Sequence, residues 1–234
     1  MNTQKIKEIR FSNKELSYGL IILHIILFIL LGVAGYTIFK DEILNIPNLF
    51  KNSAKKIEIV QFFILLFVSI VIHELIHGIF FSIYTQWKHI KFGFKWEYMA
   101  AYCTTFEPLK VKNFKIVLLA PTIFLGFLPL IYSLIFHNFI VFLYAFFMIL
   151  GGVGDFFVLW EIRKLSNNQY IADHPEALGY FLLEKKLSYD EMFNYLKSNE
   201  KKTIEKKSSI NKKYLVLLFA FGFITVLIIY KLMK

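Results

Sequence analysis

The sequence predicts an all-α integral membrane protein with about five transmembrane helices and a small cytoplasmic β-hairpin between helices two and three. Hydrophobic residues make up 57% of the 234 residues and charged residues only 19%, which is an oily composition for a water-soluble chain. The apolar residues are gathered into runs long enough to cross a bilayer. The 27 phenylalanines exclude a disordered chain or a coiled coil, because so many rings cannot stay solvated or fit one heptad seam.

Five apolar runs have the length of transmembrane helices, since about 20 residues at ~1.5 Å rise cover a hydrocarbon core of about 30 Å. The predicted spans are residues 18–39, 59–84, 116–136, 139–160 and 214–230. Pro121 and Pro129 predict kinks in the third span. Only His137 and Asn138 separate the third span from the fourth, which predicts a tight helical hairpin.

The positions of the basic residues predict the orientation. Of the 27 Lys and Arg residues, 21 lie in the N-terminus, between spans two and three, or between spans four and five. Cytoplasmic loops carry the excess of basic residues, so we expect a multi-pass protein of the cell membrane with a cytoplasmic N-terminus. Loops that lie against an anionic membrane face also explain the net charge of +10, so the expected partner is the lipid bilayer and no nucleic acid.

The predicted organisation has four parts. These are a cytoplasmic N-terminus (1–17), a membrane-embedded core (18–183, with a cytoplasmic hairpin at 87–112 and a segment at 161–183), a lysine-rich cytoplasmic helix and linker (184–213) and the fifth span (214–230). The single cysteine, Cys103, cannot form an internal disulfide.

The segment after span two predicts a β-hairpin, because residues 90–96 and 99–106 are rich in aromatic and β-preferring side chains. An extended substrate could add a strand to the edge of this hairpin. The alternative is an amphipathic hairpin that rests on the membrane interface. Further along, Asp173 to Glu176 and Ser188 to Glu191 each predict the start of a helix through a capping box.

The chemistry of the chain is indicated by one motif inside span two, which reads His73-Glu74-Leu75-Ile76-His77. Residues i and i+4 share a helix face, so both imidazoles can bind one Zn²⁺, while Glu74 can act as a general base. Ionisable side chains are costly in the middle of an apolar helix and usually mark a functional site. The alternative interpretation is a polar contact between helices without a metal.

Two histidines leave a catalytic zinc site incomplete, because such sites usually have three protein ligands. Asp155 is the only acidic residue inside the other spans, and it lies at about the same predicted depth as His77. Asp155 could instead pair with Arg163 or Lys164 near the membrane surface. The other candidate ligands are Glu97, His24, Asp173 and His174.

The stretch from His73 to about Leu183 resembles a family of bacterial membrane proteins described as zincin peptidases, a domain of unknown function distantly similar to site-2 proteases. The matching pieces are His73-Glu74-Leu75-Ile76-His77-Gly78, Ala101-Tyr102-Cys103 with Glu107-Pro108, Ala120-Pro121, Gly154-Asp155, and Asp173-His174-Pro175 with Gly179. The resemblance implies that His73 and His77 bind zinc, that Glu74 is the catalytic base and that Asp155 is the third ligand. Site-2 proteases usually have a glycine after this aspartate, whereas Phe156 follows Asp155 here.

Together the motif and the resemblance predict a membrane-embedded zinc metalloprotease that hydrolyses peptide bonds of membrane-anchored or membrane-adjacent substrates. Two other classes remain as alternatives. One is a zinc-binding membrane adaptor without catalysis, which the presence of Glu74 disfavours. The other is an ion or small-molecule transporter, which would place charged residues in several further spans.

Overall fold

The computed structural model describes residues 6–11, 13–51, 53–95, 100–174 and 179–203, which form a mostly helical protein with two small sheets. The helices are α1 (Asn13–Ile38), α2 (Lys40–Lys51), α3 (Ser53–Ser82), α4 (Val111–Thr122), α5 (Leu128–Ile135), α6 (Phe139–Gly151), α7 (Val153–Glu161) and α8 (Tyr189–Thr203). The strands are β1 (Ile6–Arg10), β2 (Ile90–Lys95), β3 (Ala100–Thr105), β4 (Leu109–Lys110), β5 (Tyr170–Asp173) and β6 (Gly179–Leu183).

Three helical segments of the described residues are long and apolar enough to cross a membrane: Tyr18–Ile38, Ile57–Ser82 and Val111–Ile135. The predicted fourth span is a pair of helices, Phe139–Gly151 and Val153–Lys164, bent by 43°. It makes a fourth crossing if the pair counts as one broken span. The predicted fifth span, residues 214–230, lies outside the described residues.

The third and fourth spans are both irregular. In the third, a π-helical turn at Ile123–Phe127 separates α4 from α5, with Pro121 on one side and Pro129 on the other. Proline removes a backbone hydrogen bond from a helix, which explains the local change in helical pitch. In the fourth span the break falls at Gly152, between α6 and α7, within the glycine-rich stretch of the sequence.

The expectation of an all-α protein with one hairpin is incomplete. A four-stranded antiparallel sheet, in the order β1-β6-β5-β4, joins the N-terminus to the segment after the fourth span. Asp173, the predicted helix cap, is instead the last residue of β5 and pairs with Tyr180 of β6. The other predicted capping residues, Pro175 and Glu176, lie outside the described residues. β5 pairs with β6 on one side and with β4, an earlier part of the chain, on the other, and this pairing stabilises a strand.

Two local predictions are confirmed. β2 and β3 pair in antiparallel register from Ile90 opposite Thr105 to Lys95 opposite Ala100, which is the predicted hairpin. At the start of α8, the backbone N–H of Glu191 donates to Ser188 Oγ at 3.3 Å, and the Ser188 N–H donates to Glu191 Oε2 at 2.7 Å. This reciprocal pair is the predicted capping box.

A hydrophobic core joins the helices to the four-stranded sheet. Val111 and Val117 of α4, Ile162 at the end of α7 and Ile171 of β5 are all completely buried in one cluster. Burying side chains of this size stabilises a fold by roughly 1.5–3 kcal/mol each. The cluster therefore holds α4, the end of α7 and the sheet in a fixed relation around the candidate site.

Candidate metal centre

The two histidines of the motif and Asp155 come together between α3 and α7. His73 Nε2 donates to Asp155 Oδ2 at 3.0 Å, and His77 Nε2 lies 3.4 Å from the same oxygen. The i, i+4 spacing places both imidazoles on one face of α3, and Asp155 lies in the first turn of α7, just after the break at Gly152. Among the described residues, these three side chains form the group with metal-ligating geometry.

The backbone of α4 orients His77. His77 Nδ1 donates to the carbonyl oxygen of Val117 at 3.0 Å, and the whole residue is only 6% exposed. A hydrogen bond from Nδ1 leaves the lone pair of a neutral imidazole on Nε2, the atom that faces Asp155. The core that buries Val117 therefore also sets which nitrogen of His77 is available to a metal.

The donor set and its spacing fit zinc. Two imidazole nitrogens and one carboxylate oxygen are ligands of catalytic zinc sites, and all three atoms lie within 4.8 Å of one another. Ligand bonds of about 2.0–2.1 Å in a tetrahedron separate neighbouring ligand atoms by about 3.3 Å. The separations of 3.0 and 3.4 Å from the Asp155 oxygen match this value closely.

Glu74 lies beside this cluster and close to the hairpin. Cys103, in β3, lines the same cavity as Glu74. Among the described strands, β3 pairs only with β2, and residues 101–104 line the cavity. The Cys103 thiol is buried next to Glu74 and Asp173, and these three causes, burial first, raise its pKa to about 12. A thiol with so high a pKa stays protonated at neutral pH.

A cavity of about 350 Å³ opens onto the cluster. Its wall includes Glu74 together with Gly151 and Gly154 of the fourth span, and a Cβ atom at either glycine would meet no atom within 4 Å. The cavity therefore has open space next to Asp155. Its volume lies at the lower end of the roughly 300–1,000 Å³ that is typical of ligand pockets.

The structure separates the other sequence candidates from this cluster. His24 Nδ1 donates to the Leu20 carbonyl of its own helix at 2.9 Å, and His24 is not part of the group. His174 Nε2 donates to Glu8 of β1 at 2.9 Å. Glu97 lies outside the described residues.

Glu107, which belongs to the pieces that carry the family resemblance, is also separate from the cluster. Its carboxylate accepts from His89 Nδ1 at 2.9 Å and pairs with Lys186 at 3.2 Å. Burial raises the pKa of Glu107, but the hydrogen bonds from His89 and Lys186 outweigh burial and hold the pKa below its ordinary value. Glu107 therefore ties the hairpin to the start of α8.

Sequence reasoning missed one part of the site, the Val117 carbonyl, for which no side-chain signal exists because any residue supplies a carbonyl. Asp173, one of the sequence candidates, lines the cavity together with Thr104 and accepts a hydrogen bond from its hydroxyl at 2.9 Å. It is not part of the metal-ligating group.

The fold and the cluster define a class: a helical protein with membrane-length apolar segments and a His-His-Asp group of the kind that binds zinc. Residues 66–170, a little under half of the chain, match the model of the family described as "Putative zincin peptidase". The matched stretch contains all four residues of the predicted site. Searches of curated proteins and of solved structures found no match.

Proposed function

We propose that this protein is a membrane-embedded zinc metallopeptidase that hydrolyses peptide bonds of membrane-anchored or membrane-adjacent substrates. The observation that carries the proposal is the convergence of His73 Nε2, His77 Nε2 and Asp155 Oδ2 beside the carboxylate of Glu74 in one cavity. The match of residues 66–170 to a zincin peptidase family supports the same conclusion independently of the geometry.

Each residue of the site has a defined part in this proposal. His73, His77 and Asp155 would hold the zinc ion, and the Val117 carbonyl accepts the hydrogen bond that keeps His77 in the required tautomer. A bound zinc ion would supply a Lewis acid for the scissile carbonyl and for a water molecule. Glu74 takes a proton from the attacking water and delivers it to the leaving amine. Cys103 of the hairpin lines the cavity together with Glu74.

The hairpin supplies a means of holding an extended substrate. β3 pairs only with β2 among the described strands, and residues 101–104 line the cavity. An extended peptide that adds to this edge would make main-chain hydrogen bonds to β3 beside Glu74. Such binding suits a protease, because a peptide bond must leave the helical conformation before it can be attacked.

The proposed location is the cell membrane of a bacterium, with the N-terminus in the cytoplasm. The described segments long enough to span a bilayer support membrane insertion, and the basic loops support the orientation. In this arrangement the metal cluster lies in the cytoplasmic half of the bilayer, and the partners are lipid and a membrane protein or peptide substrate.

The test measures zinc content and peptide hydrolysis on the same detergent-purified samples of the wild type, His77→Ala and Glu74→Gln. We expect close to one zinc ion per wild-type chain, loss of zinc and activity in His77→Ala, and retained zinc without activity in Glu74→Gln. Activity that persists in Glu74→Gln would contradict the proposed mechanism.

The same samples separate the proposal from the alternatives. A zinc-binding adaptor would retain zinc in both the wild type and Glu74→Gln, with no hydrolysis of any peptide by either. A transporter would show no requirement for zinc. The position of Glu74 in the cavity beside the metal ligands favours catalysis over both alternatives.

A further inference from the structure

The cavity beside the metal cluster differs in charge from the rest of the protein. The chain contains 27 Lys and Arg residues, yet none of them is among the described residues that line the cavity. Its charged groups are instead the carboxylates of Glu74, Asp155 and Asp173, with three histidines beside them. A concave site of this composition attracts cations.

Asp173 is the carboxylate that the proposed chemistry does not use. In the proposed reaction Asp155 would hold the zinc ion, and Glu74 would take up and release a proton. Asp173 has neither of these parts. Much of the remaining wall is apolar, with Phe11 and Phe157 among its residues, and an apolar wall strengthens electrostatic interactions inside the cavity.

The structure also fixes where Asp173 lies. Its Oδ2 accepts from Thr104 Oγ1 at 2.9 Å, so the carboxylate is tied to β3, a strand that lines the cavity together with Glu74. Thr104 follows Cys103, whose thiol both carboxylates influence. Asp173 and Glu74 therefore line the same part of the cavity, on either side of Cys103.

We propose that Asp173, held by Thr104, forms a subsite that binds a basic side chain, lysine or arginine, of the substrate next to the scissile bond. This inference rests on the proposed peptidase function and names its substrate class. A charged group paired with an oppositely charged carboxylate forms a stronger hydrogen bond than a neutral pair, which makes the subsite selective.

The first experiment measures the charge of the cavity without any need for catalysis. Cys103 is the single cysteine and lines the cavity, so its modification by charged thiol reagents reports the local potential. We would compare cationic, neutral and anionic methanethiosulfonates on the zinc-loaded protein at pH 8–9. Each rate is divided by the rate of the same reagent with a small free thiol, which removes intrinsic differences between reagents.

We expect the normalised cationic rate to exceed the anionic rate by roughly tenfold, equivalent to ~1.4 kcal/mol, and Asp173→Asn to abolish most of this preference. Asparagine still accepts from Thr104, so the change removes charge and preserves the hydrogen bond. Asp190→Asn, which removes an exposed carboxylate of α8 outside the cavity, is the matched control and should leave the ratio unchanged.

A ratio that Asp173→Asn leaves unchanged would overturn the proposal. The same holds if the normalised cationic and anionic rates are equal in the wild type, since such a cavity has no preference for a cation. If Asp173→Asn fails to fold, the subsite can still be tested on the wild type by competition with small ions. Butylammonium should slow modification by the neutral reagent while butyrate should not, and equal effects of the two would contradict the subsite.

The second experiment digests a mixture of proteome-derived peptides and identifies the cleavage sites by mass spectrometry. We expect Lys and Arg to be enriched at one position beside the cleaved bond for the wild type and not for Asp173→Asn. Cleavage by the wild type without this enrichment would overturn the subsite and leave the peptidase function intact. No cleavage, together with a cationic preference that depends on Asp173, would refute the peptidase function and support the cationic site.

Discussion

The bend of the fourth span at Gly152 allows a test of what positions Asp155 near His73 and His77. A Cβ atom added at Gly152 would lie 2.5 Å from Thr122 Oγ1 and 3.6 Å from the carbonyl oxygen of Ile149. Thr122 is 1% exposed, and its hydroxyl has no hydrogen-bond partner among the described residues. A short β-branched side chain in such a position cannot move aside, so Gly152→Ala must displace a helix.

The expected magnitude follows from overpacking, which costs about 1–3 kcal/mol in a core. Gly152 lies at the break between α6 and α7, so the gain in helix propensity from alanine does not offset this cost. We therefore expect Gly152→Ala to lower the free energy of unfolding by about 1–3 kcal/mol. Gly154→Ala is the matched control, because its Cβ would meet no atom within 4 Å and alanine inside α7 stabilises the helix by up to about 1 kcal/mol.

Stability can be followed in detergent by circular dichroism, because most of the described residues are helical. Gly152 lies three residues before Asp155, so displacement of the helix should also weaken zinc binding, on the order of tenfold as for changes to groups that orient metal ligands. The double variant Gly152→Ala/Thr122→Ala should recover part of both losses.

Equal unfolding temperatures for Gly152→Ala and Gly154→Ala would refute this reasoning. Such a result would mean that Thr122 does not fill the bend as described. A destabilised Gly152→Ala protein with unchanged zinc affinity would show that the bend supports the fold but does not position Asp155.

Three further predictions concern the hairpin and the membrane orientation. The pKa of Glu107 is below its ordinary 4.5 in the folded protein, because the hydrogen bonds from His89 and Lys186 outweigh the effect of burial. Its stabilisation is therefore complete above this value and is lost as the pH falls through the lowered pKa. Glu107→Gln should lower the unfolding temperature at pH 7, and the difference from the wild type should shrink below about pH 4.5. Gly78→Ala should press against the Phe92 ring, move the hairpin from α3 and reduce hydrolysis with zinc content unchanged. Phe92→Leu should restore activity in that variant, and lack of rescue would argue against this contact. A reporter fused to the N-terminus should indicate the cytoplasm, and an external signal would invert the proposed orientation.

Several features of the site could be predicted from the sequence because they depend on local geometry. The spacing of His73 and His77 places both side chains on one helix face wherever the helix lies. Asp155 was identified by its rarity as an acidic residue in an apolar run and by its depth, and the structure places it 3.0 Å from His73. The β2–β3 hairpin and the capping box of α8 are also short-range features.

Other features required contacts between distant parts of the chain. The four-stranded sheet pairs β1 with β6, whose residues are more than 160 positions apart, and no local pattern specifies such a pairing. The pairing of β5 with β4 is also long-range, since no local pattern brings Ile171 to Leu109. The sequence offered Asp173 only as one of several candidate ligands, and the four-stranded sheet places it at the cavity.

The sequence by itself determined which helices are long and apolar enough to cross a membrane, the motif that places two histidines on one helix face, and the side chains that can carry the chemistry. Those follow from hydrophobicity, residue type and helical period, which are properties of short segments. Only the tertiary structure decided which nitrogen of His77 is available, how the bend at Gly152 brings Asp155 to the histidines, and which carboxylate lines the cavity beside Glu74. These depend on backbone groups and packing between segments far apart in the chain, whose free energies are set by contacts that no local pattern encodes.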